Sequence, residues 1–129
     1  MSTVRGISEI VLAVHSLGES LKFYRDTLGL AVLSPPAMQA PIFLKAGDGP
    51  GVPQMIVLVP LPADAPAFAP PRALHHLALE IAPESFDAEM TRLAALGFSI
   101  RTGKHPVIAS RTMYLNDPDG NEVELICQA

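Results

Sequence analysis

The sequence predicts an α+β domain built from two tandem βαβββ modules. Three observations predict it: a strand-like segment that recurs at an offset of 67 residues, a glycine that closes a helical pattern in each half, and a proline-rich break between the halves. The closing glycines, Gly29 and Gly97, are 68 residues apart, so the two halves slip by only one residue between strand and helix end.

The first module is expected over residues 5–59. Gly6-Ile7-Ser8-Glu9-Ile10-Val11-Leu12-Ala13-Val14 reads as a strand. Ser16 and Glu19 have capping-box spacing, Leu21, Tyr24 and Leu28 follow at helical spacing, and Gly29 sits where a left-handed cap ends the helix. Strand candidates lie at 30–33, 41–45 and 54–59, the last preceded by the turn-forming run Gly47-Asp48-Gly49-Pro50-Gly51. Residues 60–71 read as a linker, because their prolines lack amide donors and fix the backbone. The second module, 72–128, repeats the pattern, starting with the strand Ala73-Leu74-His75-His76-Leu77-Ala78-Leu79-Glu80-Ile81. Pro83 and Glu84 lead into a helix carrying Phe86, Met90 and Leu93 on one face. Strand candidates then follow at 98–102, 112–115 and 122–127, with Asp117-Pro118-Asp119-Gly120 as the turn before the last.

A chain of 129 residues has room for one such domain and not for a separate regulatory one. With 49% hydrophobic residues and a formal charge of -4, its surface lacks the basic excess that tracks a phosphate backbone, which argues against a nucleic-acid partner and for a small molecule. The single Cys127 rules out an internal disulfide. The amino terminus lacks a signal-peptide pattern and the apolar runs are strand-sized, so the expectation is a cytoplasmic protein without a membrane span.

Alternate residues of a strand face opposite sides, so parity separates core from pocket. Ile10, Leu12 and Val14 form one apolar set, which puts Glu9, Val11 and Ala13 on the other face. Leu77, Leu79 and Ile81 form the matching set in the second module, and His76 takes the phase of Glu9 while His75 takes the apolar phase. In the last strand Val123, Leu125 and Cys127 face the core, and Glu124 faces away with Glu122 and Ile126. Carried back by 67 residues, position 124 becomes Val57. The four equivalent places 9, 57, 76 and 124 thus hold Glu9, Val57, His76 and Glu124, an imidazole and two carboxylates suited to a divalent cation with coordination sites left open. Fe, Mn, Zn and Ni all suit this donor set. Glu80 and Glu122 share the pocket phase but read as rim residues, and His75 as a structural or strand-end histidine. Alternatively, Glu9 pairs with Arg111 or Lys45 in a wet groove. Arg111 follows the loop 105–110 and suits a substrate carboxylate or phosphate. Tyr114 shares its phase with Thr112 and Asn116 and is a candidate proton donor or packing wall, and Phe43, Met55 and Val57 are candidates for an apolar wall.

Two strings carry a resemblance. They are 10–17 together with Ser20-Leu21-Lys22-Phe23-Tyr24-Arg25-Asp26-Thr27-Leu28-Gly29-Leu30, and Tyr114-Leu115-Asn116-Asp117-Pro118-Asp119-Gly120-Asn121-Glu122-Val123-Glu124-Leu125. Over nearly its whole length the chain resembles the vicinal oxygen chelate superfamily, the glyoxalase, bleomycin-resistance and extradiol-dioxygenase group. The resemblance implies paired modules curled into a cup with helices on its outer face, a dimer, and a metal held by residues on first and last strands; the matching positions are Glu9, His76 and Glu124. Glu9 stands where such proteins often have His, and Val57 where four-ligand members have a polar ligand, which leaves a three-ligand site. The expected function is a metal-dependent enzyme of lyase, isomerase, dioxygenase or transferase type that chelates a small oxygenated substrate, with Glu124 or Glu9 detaching to act as base. The alternative is a metal-free drug-binding protein of the bleomycin-resistance type.

Overall fold

The computed structural model describes residues 2–129. It divides into two compact units that meet between Ala67 and Phe68, inside the proline-rich segment. Each unit contains one four-stranded sheet, in the order β1-β4-β3-β2 in the first and β5-β8-β7-β6 in the second.

In the first unit β1 (Glu9–Val14) pairs in parallel with β4 (Gln54–Pro60), which pairs antiparallel with β3 (Ile42–Gly47), and β3 with the short β2 (Ala31–Val32). The burial of β1 follows the expected parity, with Leu12 and Val14 buried and Glu9, Val11 and Ala13 exposed. Helix α1 (Leu17–Leu21) starts at Ser16, whose hydroxyl accepts from the Glu19 amide at 3.1 Å. It then widens into a π-helical stretch, Lys22–Thr27, in which Leu28 N–H donates to Phe23 C=O. This winding changes the face the sequence predicts. Tyr24 is buried as its spacing predicts, but Leu21 and Leu28 are only half-buried, and Phe23 is buried beside Tyr24 with the rings edge to face at 4.9 Å. Neighbouring residues on a regular helix point about 100° apart, so the buried pair spans the full width of a core-facing stripe. Gly29 ends the segment at φ 82.

The second unit repeats this plan. Strand β5 (Leu77–Glu80) pairs in parallel with β8 (Glu122–Gln128), β8 antiparallel with β7 (Ser110–Asn116), and β7 with β6 (Arg101–Gly103). A single 3-10 turn, Pro83–Ser85, opens α2 (Phe86–Ala95), and α2 buries Phe86 and Leu93. The core of this unit consists of those two residues with Leu77, Met113, Leu115, Val123, Leu125 and Cys127. Among the described residues no helix is long and apolar enough to cross a membrane.

The β7–β8 turn is held by its own side chains. Buried Asp117 accepts from the amides of Asp119 and Asn121, both at 2.9 Å, and from Asn121 Nδ2 at 3.0 Å. Arg72, just ahead of β5, donates to Asn121 Oδ1 at 3.0 Å and to the Asp119 carbonyl at 2.6 Å. Gly120, at φ 80, leaves room for that guanidinium: a Cβ there would meet Arg72 Nη2 at 3.0 Å. This clamp fixes where β8 begins relative to the segment carrying His75 and His76.

Candidate metal centre

Strand register shows which residues share a row across each sheet. In the second unit one row runs Ala78, Glu124, Tyr114, Arg101 from β5 to β6. The equivalent row of the first unit is Val11, Val57, Phe43, with Leu33 next, its amide donating to the Phe43 carbonyl. The repeat therefore puts carboxylate, phenol and guanidinium in one module where the other has three apolar side chains. Both Val11 and Leu33 are exposed, while Val57 is buried.

Glu124 is 3% exposed. Its Oε1 lies 3.2 Å from His76 Nε2, and its Oε2 is buried with no hydrogen-bond partner among the described residues. Withdrawing a carboxylate oxygen from water without a partner costs several kcal/mol, on the order of what a ligand or ion must return. One row along, buried Thr112 also leaves its Oγ1 unpartnered on this face. Tyr114 packs edge to face with the His76 ring at a centroid distance of 6.1 Å. It lies over Gly103, where a Cβ would approach Tyr114 Cε2 to 3.0 Å, so the missing side chain at 103 lets the ring lie there.

Parity put Glu122 on the face of Glu124, where it read as a rim residue, and put His75 on the opposite face; the structure groups both with His76. His75 Nδ1 is 2.7 Å from His76 Nδ1, and His75, His76 and Glu122 offer ligand-type atoms within 4.8 Å of one another. Strand β5 begins only at Leu77, so the alternating-face rule that assigned His75 to the opposite side does not hold at 75 and 76. Two adjacent histidines ahead of a strand were the available signal. Glu122 pairs across the sheet with Asn116, and Arg101 donates to both, at 3.3 Å and 3.0 Å.

Of the other expected site residues, Glu9, Phe43 and Met55 lie in the first unit and Arg111 in the second. Glu9 is on the exposed phase of β1, in a row with Met55 and Lys45, and Lys45 pairs with Asp48. Phe43 and Met55 are half-buried on the sheet of the first unit. Arg111 does not join Tyr114 and Glu124. It shares the phase of Met113 and Leu115, donates to Asp87 at 2.8 Å, and lies over the Phe86 ring at 4.2 Å. The guanidinium holds the Asp87 carboxyl below the usual carboxylate range, chiefly through that hydrogen bond. A docking residue for α2 is thus what Arg111 is. Arg111→Ala is expected to lower the melting temperature by a few degrees and leave metal binding unchanged, which thermal unfolding and a zinc titration check together. Because the folded Asp87 pKa is depressed, its small contribution to stability is present above the ordinary carboxylate pKa and fades as pH falls through the folded value.

The model of the Glyoxalase/Bleomycin resistance protein/Dioxygenase superfamily matches residues 6–125. The chain belongs to that superfamily. A catechol-2,3-dioxygenase of Bacillus subtilis (strain 168) is 32% identical over 118 residues, covering 88% of this chain and 38% of the dioxygenase. The superfamily chain described here thus spans well under half the length of that relative. A glyoxalase/dioxygenase from Nostoc punctiforme matches with a TM-score of 0.76 and 26% identity, over 98% of this chain and 93% of that one. An antibiotic binding protein from Streptomyces shares the fold with a TM-score of 0.66 at 21% identity, over the whole of both chains.

Proposed function

We propose that this superfamily member is a divalent-metal-dependent enzyme that acts on a small oxygenated organic substrate. The observation that carries the proposal is Glu124: a buried carboxylate with His76 Nε2 at 3.2 Å on one oxygen and no partner on the other. A cation held by the carboxylate and the imidazole would offset the buried charge of Glu124, and the donor chemistry fits Fe, Mn, Zn or Ni. When bound, such an ion polarises substrate oxygens as a Lewis acid.

The chain's own groups then have separate roles. Tyr114 holds a phenolic proton beside His76. Glu124 Oε2 and Thr112 Oγ1 offer unpartnered oxygens that accept a substrate proton or hydroxyl. Phe43, Met55 and Val57 supply an apolar wall on the first module's sheet, and the protein is proposed to act as a cytoplasmic homodimer. A catecholic or 2-hydroxycarbonyl probe is expected to bind only after an ion is loaded, with His76→Ala losing both; calorimetric titration of chelated and reloaded protein checks this. The exposed apolar Val11 and Leu33, in one row with Val57 and Phe43, favour one second reading, a metal-free binder of aromatic drugs. Equal binding of the probe by chelated and loaded protein supports that reading and contradicts the enzyme.

A further inference from the structure

We propose that His75 is a positioning residue: through its Nδ1 it holds the His76 imidazole with Nε2 turned to Glu124. The inference deepens the metal-binding reading above and rests on it. His76 has a partner on each ring nitrogen, His75 Nδ1 at 2.7 Å on Nδ1 and Glu124 Oε1 at 3.2 Å on Nε2. The two rings meet at 70° with centroids 4.9 Å apart, so their contact is an in-plane hydrogen bond and not a stack.

Proton placement follows from the acceptors. A carboxylate only accepts, so without an ion His76 Nε2 carries the hydrogen and donates to Glu124. His76 Nδ1 then holds a lone pair, and His75 Nδ1–H donates to it. With a cation on Nε2, the hydrogen of His76 moves to Nδ1 and His75 Nδ1 becomes the acceptor. A neutral imidazole serves either way, and His75 is exposed, so its far nitrogen exchanges protons with solvent.

The alternative is that His75, His76 and Glu122 are themselves ligands of one ion. Distance argues against it. Two nitrogens on one tetrahedral ion, each at about 2.0–2.1 Å, stand about 3.4 Å apart, whereas the two Nδ1 atoms are 2.7 Å apart, so they do not both bind one ion as placed. Glu122 is also already engaged by Arg101. An outer hydrogen-bond partner that fixes the tautomer and orientation of a liganding imidazole commonly contributes about 10–100-fold in metal affinity.

Imidazole 15N shifts of the metal-free protein, followed by zinc competition titrations, test the proposal in wild type, His75→Phe and His75→Asn. Wild type is expected to show His76 as a single Nε2–H tautomer. In His75→Phe that tautomer gives way to a mixture, and zinc affinity falls about 10–100-fold with unchanged far-ultraviolet circular dichroism. His75→Asn, whose amide reaches the position of Nδ1, restores the tautomer and most of the affinity. The proposal is overturned if His75→Phe keeps both wild-type shifts and wild-type affinity, if Asn rescues neither, or if His75→Phe abolishes binding as completely as His76→Ala, which would make His75 a ligand. Wild type that takes up no zinc defeats the metal reading instead, and the nitrogen shifts then still decide whether His75 holds the ring.

Discussion

Glu124→Gln is expected to lower divalent-metal affinity by at least about a hundredfold while making the metal-free protein more stable by about 1 kcal/mol. Both effects have one cause. In the wild type a buried carboxylate keeps one oxygen paired with His76 and the other unpartnered. Glutamine preserves an acceptor for His76 Nε2–H but removes the buried charge, so the folded state no longer pays for desolvating it. An ion, however, loses its anionic donor. Zinc titration and denaturant unfolding of the same preparation read the two changes, and their opposite signs separate a binding role from a structural one. A carboxylate kept for packing would give destabilisation without the change in affinity.

Asp117→Ala is expected to destabilise the protein by about 3 kcal/mol, a fall of about 10 °C in melting temperature. Asp117 satisfies two backbone amides and the Asn121 side chain, and all of these lose their acceptor at once. Arg72, which grips the same turn at Asn121 and Asp119, then clamps a loosened loop. Strand β8 starts at Glu122, directly after this turn, so the carboxylates at 122 and 124 shift with it and metal affinity falls as well. Asp117→Asn keeps an acceptor for the amides and is expected to lose less, about 1 kcal/mol. Thermal unfolding of the two variants checks the order.

Much of the architecture was legible because it depends on short-range rules. Parity placed Leu12 and Val14 inside β1, Val123 and Leu125 inside β8, and Glu124 on the other face. The observed pairs Val11 with Val57 and Ala78 with Glu124 carry the same 67-residue offset read from the repeat. What failed did so where local geometry is not periodic. Along the π-helical stretch Tyr24 is buried as expected, but Phe23 joins it while Leu21 and Leu28 stay half-buried. His75 escaped because β5 starts after it, and Arg111 because the loop at 105–110 suggested a place over the pocket that its strand phase does not allow. The burial of Glu124 was also invisible, since parity reports a face and not its depth. The apolar row at Val11, Val57 and Phe43 against the polar row at Ala78, Glu124 and Tyr114 shows the same modular plan put to two uses.

Glu124 and His76 are proposed to hold a divalent ion. Elemental analysis of protein incubated with iron, manganese, zinc or nickel and then desalted tests it most directly. About one ion per chain is expected in the wild type for at least one of these metals, and none in Glu124→Gln or His76→Ala. Wild type that retains no ion from any of the four, or variants that retain it as well as wild type, would contradict the account.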